Sequence, residues 1–258
     1  MNLYKKYLSL HLKSELEYKA SFIMSFLTQS FVLFCSYFVI LSLFDKFGSI
    51  KDFGLYEVML IFGVIHFGFA TNKVFNRGFD NFDKLILSGD LDRILTRPRS
   101  LYLQIMGSDI DYAKMARMLE AIIILVVAIF KIDIVWTLSK IVTLIFMLIS
   151  SCLVFFSIYL LGASFCFVTI QGLEVVNVFT DGGREMAQYP ISIYGKFFRI
   201  FFTFIIPFGF VNYYPLLYLL DIKSNLVYVF SPLLAIIYII PSVLIFNYSL
   251  KKYSSSGS

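Results

Sequence analysis

Histidine and cysteine are scarce in this chain, and charge is thin. Only His11, His66, Cys35, Cys152 and Cys166 represent the two residue types among 258 positions. The histidines stand far apart without a nearby carboxylate or thiol, which argues against a metal centre. The cysteines lie in apolar runs with no Cys-x-x-Cys spacing, so neither a disulfide framework nor a zinc site is indicated, and they read as small packing residues. There is no Gly-x4-Gly-Lys-Ser/Thr phosphate loop, no Gly-x-Ser-x-Gly elbow and no His-Glu-x-x-His helix. Nucleotide hydrolysis, acyl transfer and zinc proteolysis by those routes are excluded, and any ATP-driven work must come from a partner.

Charged residues make up 15% of the chain and hydrophobic ones 59%, where soluble domains carry about 25% and roughly 45–50%. That balance describes an integral membrane protein. Thirty Phe and seventeen Tyr suit a lipid-facing bundle with aromatic belts. The net charge of +5 would point to nucleic acid in a soluble chain, but most basic residues here punctuate apolar segments and serve orientation in the bilayer.

In chain order, residues 1–19 place Lys5, Lys6, Lys13 and Lys19 on one helical face and Leu3, Tyr7, Leu8, Leu12 and Leu16 on another, the profile of an interfacial helix. A signal peptide is disfavoured, because the apolar run Ala20–Phe44 is 25 residues long and lacks a small-x-small cleavage site; it reads as a retained first span. Leu55–Asn72 is the second span, with His66 inside it read as a histidine bonded to a neighbouring helix. Residues 101–118 run along the membrane face, with Arg117 and Glu120 spaced to pair, and about Met115–Phe130 is the third span. The 33 residues from Ile141 to Leu173 contain no Asp, Glu, Lys or Arg. As one helix they would reach about 50 Å against roughly 30 Å of hydrocarbon. The expected division is a fourth span over Trp136–Leu160, a turn at Gly162-Ala163-Ser164, and the start of a fifth helix. Asn225–Leu250 is the last span, and residues 251–258 form a tail.

The longest polar interval is 77–100, RGFDNFDKLILSGDLDRILTRPRS. Its apolar positions 82, 85, 86, 91, 94 and 95 recur at helical spacing, Gly89 breaks the run and Pro98 stops it. The run Gly89, Asp92, Arg93, Leu95, Arg97, Pro98 resembles the "Gly-x-x-Asp-Arg-x-Leu-x-Arg-Pro" loop of bacterial type-2 ATP-binding-cassette (ABC) permeases. A second pattern, Tyr189-Pro190-Ile191-Ser192-Ile193-Tyr194-Gly195 followed by Ile206-Pro207 and Asn212-Tyr213-Tyr214-Pro215, resembles the segment after their fifth span, although Gly195 stands where many relatives have a second Pro.

The resemblance and hydropathy disagree over the fifth span. Hydropathy makes 171–199 a cytoplasmic loop and 200–220 the span, because Asp181, Arg184 and Glu185 are each costly at a bilayer centre. The resemblance puts the span at about Thr169–Gln188, its charges near the outer end or facing protein, and makes 190–220 a hairpin re-entering from the outer face. The latter is favoured. Lys and Arg then divide 14 to 8, or 17 to 5 on the hydropathic topology, and either split places both termini and the 77–100 loop in the cytoplasm.

The resemblance thus implies a single all-α transmembrane domain over 1–258: six spans, an interfacial N-terminal helix, a coupling helix in 77–100 and an outer hairpin, in a bacterial plasma membrane. It implies an exporter of an amphipathic or lipid-like cargo. The working unit would contain a second permease, identical or different, and two cytoplasmic ABC ATPases holding ATP and Mg; no cofactor belongs to this chain itself. Leu85, Ile86, Leu87, Leu91, Ile94 and Leu95 would fill a groove on the ATPase while Asp92, Arg93 and Arg97 set register. Tyr189, Pro190, Pro207, Asn212, Tyr213, Tyr214 and Pro215 would gate or line the path. Two alternatives remain open at the sequence level. An ion-coupled secondary transporter is disfavoured because Glu57, Glu120 and Glu174 sit near span ends and no inverted repeat is evident. A membrane lipid-modifying enzyme is disfavoured because Asp181-Gly182-Gly183-Arg184 opens like a phosphatidyltransferase motif but lacks the two downstream aspartates.

Overall fold

A computed structural model describes residues 2–169 and 176–253, and the chain is all-α over that range. The expected tail at 254–258 and part of the expected fifth span, 170–175, lie outside the described residues. Among the described residues, four helices are long and apolar enough to cross a bilayer: α2 (Lys19–Phe47), α3 (Leu55–Phe75), α9 (Leu138–Cys166) and the last span, Val227–Lys252. Before α2 lies α1 (Asn2–Glu17), separated from it by a break at Tyr18. Between α3 and α9 come four short α-helices, a 3-10 turn at Tyr112–Lys114 and then α8 (Met115–Lys131).

The bundle is organised around α3. Some 78% of its most apolar window is buried, against 11% for α2, so α3 is the axis and α2 the rim. Its glycines let neighbours approach closely. A Cβ on Gly63 would stand 2.8 Å from Leu125 Cβ on α8, and one on Gly68 would stand 2.1 Å from Ser151 Oγ on α9. Small residues at helix crossings are how membrane bundles gain packing without a hydrophobic driving force. Ser151 Oγ donates to Val64 O at 3.0 Å, and Asn72 Nδ2 donates to Gly68 O and Cys152 O at 2.8 Å each. At the start of α3, Glu57 Oε2 accepts from the Gly54 N–H at 2.8 Å, satisfying one of the orphan amides of the helix end.

Sequence expectations need correction at several points. The helix α9 runs unbroken through Gly162-Ala163-Ser164 to Cys166, so no turn falls there. Ser164 Oγ returns to Leu160 O at 2.7 Å, and Gly162 serves close approach: a Cβ on it would lie 2.6 Å from Val176 Cγ1. A glycine read as punctuation is instead a contact point. Arg117 and Glu120 share a face of α8 but close no ion pair among the described residues, and each keeps a buried atom without a hydrogen-bond partner. His66 behaves as expected, with Nε2 3.0 Å from Gln188 Oε1 and its ring stacked on Phe62.

After 176 the chain is helical through a π turn at Val178–Gly182 and on to Ala187. A bent pair follows, an incoming limb Lys196–Ile205 and an outgoing limb Gly209–Leu219, meeting at 86°. The bend has a local cause. Ile206 precedes Pro207 and is held extended (φ −120, ψ 102), as the proline ring demands of its predecessor.

Candidate functional site

Residues 77–108 fold as a platform on the end of the bundle where α3 stops. It comprises α4 (Arg77–Asp80), α5 (Phe82–Leu87), α6 (Asp90–Leu95) and α7 (Leu101–Ser108). Gly89 links α5 to α6 with φ 71, left-handed backbone that favours glycine. Beneath, Phe79 and Phe82 are fully buried and meet Phe246 of the last span at 5.6 and 5.7 Å between ring centres. α4 lies so close on α7 that a Cβ on Gly78 would come within 1.7 Å of Ile105 O. Polar groups lock the platform's edges. Arg77 bonds Asp111 and lies 3.3 Å from Asp109, Asn81 Nδ2 donates to Asp109 at 2.6 Å, and Tyr102 OH donates to Asn247 Oδ1 at 2.9 Å.

This packing divides the predicted coupling residues. Ile86 and Leu91 are buried in the protein's own second apolar core, Ile94 is buried beside them on α6 and Leu85 is half-buried, so these residues are not free to fill a groove elsewhere. The reason is amphipathic: the helices are too short to carry two apolar faces, and theirs points down. What remains outside is Leu87, Leu95, Arg97, Pro98 and Arg93, whose guanidinium holds Asp90 at 2.9 Å. Asp92 is half-buried on α6.

The platform connects inward through charges that hydropathy counts as a cost and that the resemblance places near the outer end or facing protein. Lys73 on α3 binds Asp80 of α4 at 2.8 Å and lies 3.8 Å from Asp181. Arg184 lies 3.8 Å from Asp181 and bonds Glu185, and its guanidinium covers the Phe69 ring at 4.6 Å. Gln188 donates to Glu185 at 2.7 Å and meets His66. The charges at 181–185 therefore lie near the platform end of α3, not the opposite end, with Arg184 turned to the interior and the Asp181 and Glu185 side chains about half exposed. The sequence signal was their spacing, one helical turn apart, matched by a lone Lys73 at the close of the second span.

The hairpin's two feet stand at the end away from the platform. Lys51, in the α2–α3 loop, bonds Ser192 O; Tyr218 OH and Ser139 Oγ are 2.8 Å apart; and Lys140 binds Asp221 at 2.7 Å. Its apex dips inward, where Phe208 packs on Phe155 of α9 at 5.2 Å and would meet a Cβ on Gly183 at 3.1 Å. Both feet at one end with the apex inside is a re-entrant geometry.

The predicted gate residues are mostly packing residues in this arrangement. Pro190, Pro207 and Pro215 are buried. Asn212 Nδ2 donates to Ala187 O at 2.6 Å, and Tyr213 meets Phe53 edge-on. The space among Tyr189, Tyr194, Phe208 and Asn212 is only about 10 Å³, scarcely a water, so there is no passage between these residues. Tyr214 is half-buried against Tyr228. A larger, predominantly apolar cavity of about 300 Å³ lies between α9, Val176, Phe179, the incoming limb and Tyr238, and its lining suits hydrocarbon. Among the described residues, no group of His, Cys, Asp and Glu is placed to hold a metal.

Comparison with known proteins agrees with this all-helical, membrane-crossing architecture. No curated protein and no solved structure matches the chain. The family model described as "ABC-2 family transporter protein" matches residues 30–257, and the chain belongs to that family.

Proposed function

We propose that the chain is the permease half of an ATP-driven exporter of amphipathic cargo, moved by separate ATPase subunits that bear on the 77–108 platform. The observation that carries this reading is the division of the platform: an apolar underside fused to α9 and the last span, and an outer face with exposed Leu87, Leu95, Arg93 and Arg97. A plate bonded to two spans transmits a push as a rigid body, whereas a solvated loop would absorb it. Two ATPases holding ATP and Mg, closing on a pair of such permeases, supply the stroke. Leu87 and Leu95 make the apolar contact, Arg93 and Arg97 set register, and Ile86, Leu91 and Ile94 hold the plate to the bundle. In this reading the platform and both termini lie in the cytoplasm and the hairpin feet outside, as the Lys and Arg distribution supports.

The test is purification of the tagged chain from its native membrane. An ATPase should accompany the wild-type chain, and Arg93→Glu should release it or abolish transport-dependent ATP turnover. Persistence of both in Arg93→Glu overturns the docking assignment, and transport driven by an ion gradient alone overturns the ATP-driven reading.

A further inference from the structure

A polar cleft of about 480 Å³ lies beside the platform, between the α1–α2 junction and residues 109–113. One wall is Tyr18, at the break before α2, and a stripe on α2 itself: Ser21, Ser25 and Gln29, spaced four apart, so these three lie on one helix face. The helical stripe climbs about 12 Å from the interface toward the bilayer centre at 1.5 Å per residue. Beside it on the same helix, Ile23, Met24 and Leu27 are exposed by 55–65%. In lipid, those neighbours touch acyl chains, while a row of hydroxyl and amide groups needs a polar companion. An occupant meeting both surfaces has a polar head in the slot and a chain outside it.

Charge selects the head. At the mouth, Arg77 is taken by Asp109 and Asp111, and Lys114 lies 3.6 Å from Asp111. Glu15 lines the same cleft and closes no ion pair among the described residues, His11 and Arg77 acting on it only from a distance. Its Oε1 accepts from Tyr112 N at 3.0 Å, and its Oε2 has no hydrogen-bond partner among the described residues. The carboxylate surplus calls for a positively charged group.

We infer that this cleft receives the amine-bearing head of a membrane amphiphile from the platform-side leaflet. The inference deepens the exporter reading by naming the cargo's chemical class, and it rests on that reading only for the step after binding.

The experiment uses the full chain purified in maltoside micelles, offered dioleoyl phosphatidylethanolamine or dioleoyl phosphatidylglycerol, with retained lipid counted by mass spectrometry. The ethanolamine lipid should be preferred about tenfold, the size of one charge-assisted hydrogen bond. Glu15→Gln should remove that preference and Ser21→Lys should reverse it. Ser36→Leu, on the far half of α2 where the hydroxyl bonds only Val32 O, should leave it intact. Equal retention of the two lipids by the wild-type chain, or wild-type preference in both cleft variants, overturns the proposal. Displacement of the lipid by equimolar glycerophosphoethanolamine overturns the membrane source. A disulfide-linked dimer through Ser25→Cys, in a Cys35→Ser background, would assign the cleft to a second copy and equally overturn it. Retention requires neither ATPase nor transport, so a preference without any co-purifying ATPase would sink the exporter reading while leaving the cleft assigned.

Discussion

Lys73, on the last turn of α3, binds Asp80 on the first platform helix at 2.8 Å, with both side chains less than 15% exposed. The same ammonium lies 3.8 Å from Asp181. One cation therefore ties the most buried span to the platform and to the segment leading into the hairpin. A buried charge that loses its partner is left uncompensated, at about 3–5 kcal/mol. Lys73→Met should therefore lower the thermal midpoint in detergent markedly. The double change Lys73→Met with Asp80→Leu should recover a large part of that loss, because no lone carboxylate remains at this contact. A double variant no better than the single one would mean that the pair does not join α3 to the platform.

The division of the platform into inner and outer residues predicts two phenotypes. Leu91→Ala removes a fully buried side chain from the second core and should cost about 2–5 kcal/mol of stability. Leu87→Ala, at a position 64% exposed, should leave the midpoint within about 0.5 kcal/mol and weaken only ATPase association. Thermal melts alongside pull-down yields separate the two. Equal loss of ATPase binding with unchanged melting in both variants would show that Leu91 reaches outward.

Much of this architecture can be read from residues alone, and the misreadings share one cause. Apolar runs locate α2, α3, α8, α9 and the last span within a few residues, because twenty-odd uncharged residues have few other uses. Pro207 and its extended predecessor announce the hairpin bend for a steric reason that is purely local. Gly162 and Ile86, Leu91 and Ile94 were misassigned because their roles depend on which surface lies opposite. Periodicity shows that a face is apolar, but not whether the covering surface belongs to this chain or to another. Asp181, Arg184 and Glu185 were invisible as a network for the same reason: their counter-charge sits on α3, over a hundred positions earlier.

Glu15 gives a pH dependence with a defined sign. Burial holds its carboxyl above the ordinary carboxylate value, only partly offset by the Tyr112 N–H, His11 and Arg77, with Asp111 adding to the rise. A raised acid binds its proton more tightly in the folded chain than in the unfolded one. Its contribution to stability is therefore present below the ordinary value and declines as pH rises through the window up to the raised one. Glu15→Gln should remove that decline without disturbing the Tyr112 contact, since the amide oxygen can still accept. Melting curves from pH 4 to pH 7 check it, and parallel wild-type and variant profiles would contradict the burial of this carboxyl.

Asn212 offers the sharpest test of whether the hairpin is a fixed wall or a moving gate. Its amide closes on Ala187 O at 2.6 Å, stapling the outgoing limb to the segment that precedes the hairpin. Asn212→Leu keeps the volume but leaves Ala187 O without that donor, a loss of about 1–3 kcal/mol at a buried site. If the staple only maintains structure, the variant should melt earlier while its ATPase-coupled transport per folded molecule stays unchanged. If opening the staple is part of the cycle, transport per folded molecule should rise or fall at least about fivefold, because a change of 1 kcal/mol shifts a two-state equilibrium by about that much. A cysteine at Lys196, at the start of the incoming limb, reports the same event through its reactivity toward an impermeant reagent added from the hairpin side. Reactivity that differs between nucleotide-bound and nucleotide-free complex would establish movement, whereas identical rates in both states would make the hairpin a fixed wall.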